Sequence, residues 1–570
     1  MGAKAVYAQF WCCGALLLAC SLCNRLALSA WRGPLDPAVL HLIFAVVALG
    51  WLAWRGDVFD SLSRGRALAW WAGSSSAALM LVLTWRVQSG VIEGQRYWWL
   101  CDDAMVSMRY AKNLAHGAGL VWNPGQRVEG FSNLLWTLFM SLPHALGVPE
   151  AWASFSVLFA EALLLVWLSL ATWRLSKALE LGDFAASIAA CLTVLSFDAV
   201  GVARTGMEAL LVACLFTESL TGILGGGLWR IALGGTGLAL ARFDGIYLVA
   251  LLAGAAWLVK APSRSLVALG LPALVAAGAA EIWRLAYYRE WVPNTVFLKG
   301  DPWTGRWQSG WDYAQTFFGA RYPGISASAF LVLALPTRAI RLRVALALPV
   351  LGLAVYVIWA GGDFMPELRF FLPLLPLLAT LAAALGEVTK KKLGAPAQAV
   401  LMLAVALSSA STPYFYPMLL DPANDGSPVR IRATLAARRA VPDGALLATG
   451  WAGLIPYFWP GPALDLLGKC DPWIARSKPH EEQPLVGHNK WDHAYALGRQ
   501  PDVVHLELPD SFDELPYYTQ RMIEEPLFRR ACRGQVIFKE GSTTVFRCDW
   551  GKKKDPPLNG GSLSSGHGGT

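Results

Sequence analysis

"CDDAMVSMRYAKNLAHGAGLVWNPGQRVEGFSN" occupies residues 101–133 and sets two adjacent carboxylates, Asp102 and Asp103, directly after three apolar runs. What surrounds this polar passage decides the fold class. The chain has 570 residues, 55% hydrophobic and 15% charged, with 27 Trp; an ordinary globular domain carries about 25% charged residues. A soluble chain of this length would divide its apolar content among several cores separated by polar surface. Here the apolar residues come in runs near membrane length, which indicates a mainly α, polytopic membrane protein.

Candidate spans fall at 6–23, 37–54, 67–85, 151–173, 185–200, 207–225, 228–241, 246–259, 265–283, 325–336, 344–360, 370–387 and 398–420. That is about 11–13 transmembrane helices, several shorter than the ~20 residues a crossing needs. "LLWTLFMSLPHALG" (134–147) contains Pro143 and His144 and reads as an interfacial or re-entrant helix. More spans follow the first run at once, so that run reads as an anchor.

Basic residues orient the array. Arg55, Arg64, Arg66, Arg174, Lys177, Lys260, Arg264, "TRAIRLR" (337–343) and Lys390–Lys392 share one side if 134–147 does not cross. The positive-inside rule makes that side cytoplasmic, together with the N-terminus, in a plasma (inner) membrane. An external loop (86–133), "RTGME" (204–208), "RFDG" (242–245), a second external loop (284–324), "GGDFMPELRF" (361–370) and everything after about 420 then face the other side.

The composition changes past the membrane region (1–420). Residues 421–550 mix charge and Pro with short β-type runs, "GALLATG", "VVHLEL", "QVIFKE" and "TTVFRC", and read as a soluble extracytoplasmic α/β domain. The Gly/Ser-rich segment 551–570 reads as a disordered tail. Cys532 and Cys548 bracket a hairpin with its turn near Glu540–Ser542, and an oxidising compartment would allow a disulfide across it. No Cys or His spacing resembles a metal site, and no cofactor is expected. A divalent ion bridging Asp102 and Asp103 is not indicated by any other residue.

The simplest role for Asp102 and Asp103 is capping, since acidic residues satisfy and complement a helix N-terminus. "AMVSMRYAKNLA" is a good helix, on which Asp102, Val106, Arg109 and Asn113 share a face, so Asp102 with Arg109 could be an ion pair. The rest of the loop strings Asn123, Arg127, Glu129 and Asn133 through Gly/Pro-rich turns, more hydrogen-bonding capacity than a connector needs.

With these residues the loop resembles the first large external loop of GT-C superfamily membrane glycosyltransferases. More narrowly, it resembles the family of the mycobacterial terminal β-(1→2)-arabinofuranosyltransferase and its bacterial relatives. The resemblance continues in order through "RTGMEALL", "ARFDGIYL", "YYREWVPNTVFLK", "GGDFMPELRFFLPLLP" and "GHNKWDHAYALGRQPDVV", from about residue 100 to 505. It departs at Phe243, where relatives often have Pro, and before Gly206, where many have Ser.

The resemblance implies a GT-C-like fold, a catalytic Asp on the first external loop, a polyprenyl-phosphate sugar donor, possession of a lipid bilayer as partner, and an extracytoplasmic glycan or lipid acceptor; arabinofuranose is one candidate sugar. One carboxylate suffices for inverting displacement: it takes the acceptor's proton while the lipid phosphate leaves as a stabilised anion. Asp102 is preferred over Asp103 for that role, and pairing two carboxylates should raise one pKa. For the donor phosphate and sugar the candidates are Arg109, Arg242, Lys299 and Arg369, with Asp244, Asn294 and Asp363. For the acceptor they are Trp122, Asn123, Glu129, Asn133 and Glu208, with His488, Lys490 and Asp492 in the soluble domain. Two other classes compete: a transporter or flippase, for which Glu161 and Glu218 inside apolar runs would speak, and a non-catalytic envelope assembly factor. No feature points to nucleic acid.

Overall fold

A segment in hydrocarbon must satisfy its backbone polar groups internally, so apolar runs of membrane length fold as helices. The computed structural model describes residues 64–300, 305–335, 339–410, 425–480, 487–508 and 517–551. The runs at 6–23 and 37–54, the end of 398–420 and nearly all of the 551–570 tail lie outside the described residues. Among the described residues five helices are long and apolar enough to cross a membrane: Gly65–Val87, Glu150–Ala178, Ser263–Tyr288, Ile340–Ala360 and Arg369–Leu393. The count rises to seven when Asp183–Val194 with Phe197–Thr205, bent by 49°, and Arg306–Arg321 with Pro323–Ala334, bent by 96°, are each taken as one span. The chain is a multi-pass membrane protein.

Four further apolar runs are shorter helices: Ala209–Gly225, Leu228–Ala241, Gly245–Leu258 and Ala395–Ala410. A 14-residue helix rises only about 21 Å, so Leu228–Ala241 and Gly245–Leu258 fall short of a bilayer core of ~30 Å. Leu134–Ala145 is helical through Pro143, with Leu138 and Leu142 exposed on one side and Trp136 and Met140 buried on the other. Helix position shows in burial. Some 78% of the Arg369–Leu393 window is buried at the centre of the bundle, against 17% for Ser263–Tyr288, whose Leu271, Leu274, Val275 and Ile282 face outward.

Close glycine contacts identify the two ends of the bundle. Gly65 packs at Asp183, Gly225 at Ala178 and Gly182 at Glu387, which gathers Lys177 and Lys390–Lys392 at one end. At the other end the Cys101 amide donates to the Thr205 carbonyl (3.2 Å), the Phe243 amide to Ser132 (2.8 Å) and the Asn294 amide to Glu129 (2.8 Å). The interhelical segments that carry the candidate residues therefore meet on one face.

A short hairpin, β1 (Ser89–Ile92) and β2 (Gln95–Trp98), leads into the Asp102–Ala115 helix. The C-terminal part forms a five-stranded sheet from β3 (Leu447–Thr449), β4 (Ala463–Asp465), β5 (Val503–Glu507), β6 (Val536–Glu540) and β7 (Thr543–Arg547), in the order β4-β3-β5-β7-β6. β3 pairs in parallel with β4 and β5, whereas β7 runs antiparallel to β5 and β6. One face of this sheet shares a core with the first external loop: Val106, Tyr110, Trp122 and Phe131 pack with Leu447, Ile455, Trp459 and Val503. Loop and sheet are thus one folded body rather than neighbours.

β6 and β7 join through Gly541–Ser542, and Cys532 is disulfide-bonded to Cys548, 16 residues apart. Both cysteines sit in the second core of the sheet with Phe528 and Phe546. Closing a loop of about 15 residues removes about 3 kcal/mol of unfolded-state entropy. Cys532→Ser with Cys548→Ser is expected to destabilise the C-terminal part by about 2–4 kcal/mol. Thermal unfolding with and without reductant checks this; a transition indifferent to reductant would contradict it.

Candidate active site

The Asp102–Ala115 helix starts at the meeting point of bundle and sheet, and its first two side chains diverge. Asp102 accepts hydrogen bonds from the Leu454 amide (2.8 Å) and the Gly453 amide (3.2 Å). It therefore caps the start of the Leu454–Phe458 helix across the interdomain seam, not its own helix. The fit is close: a Cβ on Gly453 would lie 1.8 Å from the Asp102 carbonyl oxygen. Asp103 turns the other way, into a cavity of about 430 Å³, and ion-pairs with Lys469 from the loop after β4.

This cavity gathers the charged segments of the bundle end. Arg242 bridges Glu208 (2.8 Å) and Asp244 (2.8 and 3.0 Å), and the Tyr356 hydroxyl donates to Asp244 (2.6 Å). Asn133 donates to Glu208 (2.9 Å) and accepts from the Ser107 hydroxyl (3.0 Å). Arg369 ion-pairs with Asp363. Phe370 lies under both guanidinium groups, 5.1 Å from Arg242 and 5.3 Å from Arg369. The "GGD" turn that delivers Asp363 requires glycine: Gly361 and Gly362 have φ of 90° and 73°, and a Cβ on Gly362 would meet Tyr313 at 2.7 Å. Lys299 ends the Asn294–Lys299 helix, lines the same cavity and makes no ion pair among the described residues.

The electrostatics of the two carboxylates separate accordingly. Burial raises Asp102 above the usual range, against the Lys469 charge and the Leu454 amide. Burial would raise Asp103 as well, but Lys469, Lys299 and Arg369 outweigh it and hold the carboxyl well below the usual range. The Lys469 ammonium is disfavoured by burial, yet Asp103 and Asp102 keep it well above the ordinary lysine value. Lys299 is lowered, because loss of water around it exceeds the attraction of Asp103 and Asp363. The expected mutual repulsion of the Asp pair is therefore a minor effect; burial and cations decide both groups.

Of the residues singled out in the sequence, Asp103, Asn133, Glu208, Arg242, Asp244, Lys299, Asp363 and Arg369 line the cavity. Several others do not, and each has a physical reason. Asp102 serves the seam, so the preference for it as base is not matched by its position. Arg109 forms no pair with Asp102; it is buried and donates to Asn123 (3.0 Å) and to the carbonyls of Trp122 (2.6 Å), Gly461 (3.0 Å) and Pro456. Trp122 donates to the Ala452 carbonyl (3.0 Å), and Asn123 pairs with the backbone of Ala463 (2.7 and 3.0 Å). Glu129 is bound to Arg284 (2.6 Å). Asn294 donates to the carbonyls of Gly468 (2.9 Å) and Lys469 (3.0 Å), so it steadies the Lys469 loop. Lys490 is buried on the carbonyls of Phe297 (2.8 Å) and Ala475 (2.7 Å), and Asp492 caps the His493–Gly498 helix. His488 stands against Phe364, a cavity wall residue, with ring centroids 5.4 Å apart.

Sequence reasoning missed Ser107, Arg306, Tyr356 and Lys469, all of which line the cavity. Ser107 was accessible, being one helical turn after Asp103 on the same face. Lys469 was not, since nothing local marks a lysine 366 residues from its partner.

Residues 426–545 match a domain of unknown function, DUF8728. Over 375 residues, 57% of this chain, the sequence is 27% identical to the terminal beta-(1->2)-arabinofuranosyltransferase of Corynebacterium glutamicum, and the chain spans about half, 54%, of that curated relative's length. The structure is similar to ArnT from Cupriavidus metallidurans bound to undecaprenyl phosphate, with a TM-score of 0.52 at 12% identity, covering 83% of this chain and 97% of that one. Its similarity to the same protein in the apo state has a TM-score of 0.50 at 11% identity, covering 83% and 96%. The two structural likenesses show that the chain shares the fold of ArnT.

The seam assigned to Arg109 can be checked separately from chemistry. Arg109→Met is expected to strand several buried carbonyls, each worth about 1–3 kcal/mol, and to loosen the sheet from the external loop. Limited proteolysis of the purified protein should show faster cleavage between the two; unchanged protection would contradict the seam.

Proposed function

We propose that this chain is an integral-membrane inverting glycosyltransferase that moves a sugar from a polyprenyl-phosphate donor to an extracytoplasmic glycan or lipid acceptor. The observation that carries the reading is a 430 Å³ cavity in which Glu208, Asp244 and Asp363 are held by arginines while Asp103 pairs with Lys469, and Lys299 and Arg306 add further positive charge to the wall. The ArnT structure named above holds undecaprenyl phosphate, a ligand with the same anionic headgroup and apolar tail that such a cavity at a membrane face would take. The curated relative is named an arabinofuranosyltransferase, which makes arabinofuranose the first sugar to test.

In the proposed step Asp103 accepts the proton of the acceptor hydroxyl. The freed oxygen attacks the anomeric carbon, and the bond to the phosphate oxygen breaks with its electron pair leaving on the lipid phosphate. Inversion follows from single displacement. Lys299 and Arg369 meet the phosphate, where a guanidinium suits two phosphate oxygens at once. Arg242 already serves Glu208 and Asp244 and shapes the floor, while Asn133 and Glu208 offer acceptor contacts. Lysine and arginine supply the positive charge the leaving group needs, so the step is proposed to run without a metal or cofactor. In this reading the cavity faces the extracytoplasmic side and the N-terminus is cytoplasmic, as the distribution of basic residues supports.

The transport reading gains little support. Glu218 is neutralised by Arg174 and Arg230 (3.4 Å), and neither it nor Glu161 lines the cavity.

Asp103→Asn in purified protein should lower sugar transfer from a polyprenyl-phosphate donor by about 10²–10⁴-fold. Asp102→Ala should mainly cost about 1 kcal/mol of stability, as a lost cap does. Radiolabelled product formation and a thermal melt separate the two; the opposite ranking would move the base to Asp102. Because three cations hold Asp103 low, it stays ionised in the free enzyme. The kcat/KM for donor should show no acid limb from this group between about pH 5 and about pH 7, whereas a limb in that range that vanishes in Asp103→Asn would refute the assignment.

A further inference from the structure

Lys469 belongs to the part of the chain that matches a domain of unknown function, yet it reaches across 366 residues to the cavity carboxylate. Its backbone is fixed from two sides. Asp465 accepts the amides of Leu467 (3.0 Å) and Cys470 (2.7 Å), and Asn294 holds the carbonyls of Gly468 and Lys469. Asp465 itself is buried in β4. Only the flexible four-carbon stem is left to move, and a lysine ammonium acts as a point charge without fixed partner geometry.

The arginines Arg242 and Arg369 in the same cavity differ in this respect. Arg369 is tied to Asp363, and Arg242 is tied to two carboxylates. Lys469 has the reacting carboxylate as its ion-pair partner. During the proposed displacement negative charge leaves Asp103, which gains a proton, and one unit appears on the phosphate, which passes from diester to monoester. A cation that stands between the two and can pivot favours the later charge distribution over the earlier one, and differential stabilisation of this kind accelerates the step.

We propose, resting on the glycosyltransferase reading, that Lys469 is an exchangeable counter-ion: it neutralises Asp103 before donor binds and shifts to the lipid phosphate as Asp103 takes the acceptor's proton. The C-terminal domain then contributes a residue to the active site rather than serving only as a platform. Lys299 and Arg369 also act on this carboxylate through space, and Asp102 is its nearest acidic neighbour in sequence.

The test measures undecaprenyl phosphate binding to the full-length protein in lipid nanodiscs. Lys469→Gln should weaken binding about tenfold or more, the scale of one charge-assisted hydrogen bond, and Lys469→Arg should restore most of it. Asp103→Asn should tighten binding severalfold by releasing Lys469 to the phosphate, a gain that misfolding cannot produce. That gain should disappear in the Lys469→Gln background. Tight wild-type binding that is indifferent to Asp103→Asn and Lys469→Gln overturns the exchange while leaving the glycosyltransferase reading intact. Absence of wild-type binding overturns both. Thermal melts of each variant, with Lys469→Arg as the conservative control, separate loss of the cation from loss of the fold.

Discussion

Charge at a membrane face must be neutralised by other charge, because neither hydrocarbon nor a tightly packed bundle solvates it. The arrangement at the head of this bundle follows from that constraint. Arg242 is shared by Glu208 and Asp244, Arg369 by Asp363, and Asp103 by Lys469. Glu208 with Arg242 and Asp103 with Lys469 link segments far apart in sequence, so satisfying these charges also draws the first external loop, two interhelical stretches and the C-terminal part around one cavity. The cations Arg242, Lys299, Arg369 and Lys469 are thereby assembled around the same cavity.

The seam between loop and sheet does a different job with similar chemistry. Arg109 is buried among backbone carbonyls, Asn123 zips onto β4, and Asp102 closes the helix start at Leu454. These contacts fix the angle at which the Asp102–Ala115 helix presents its first turn. Once Asp102 is spent on the seam, the 100° step between adjacent helical residues points Asp103 into the cavity. Two carboxylates in sequence thus acquire separate positions, one holding the seam and one facing the cavity.

Much of this was legible from sequence because it is local. Apolar run length reported the helices, basic residues reported which helix ends cluster, and short β-type runs reported the strands of the C-terminal sheet except β4. The chemistry-bearing segments were visible as polar interruptions: Glu208, Asp244, Lys299, Asp363 and Arg369 all reach the cavity. What misled was assigning function to every polar side chain in those segments. Arg109, Trp122, Asn123, Asn294 and Lys490 are polar for the sake of buried backbone groups, whose need for partners has no signature in a linear pattern.

The sequence by itself determined a membrane bundle with an α/β end, and it determined that the polar segments with the cavity residues lie between helices, because hydropathy and charge act residue by residue. Only the tertiary structure decided which of two neighbouring aspartates faces the cavity, and that Lys469 stands opposite it. Those outcomes depend on where a distant loop is docked, and docking is set by the summed packing and hydrogen bonding of the whole seam rather than by any stretch of residues within it.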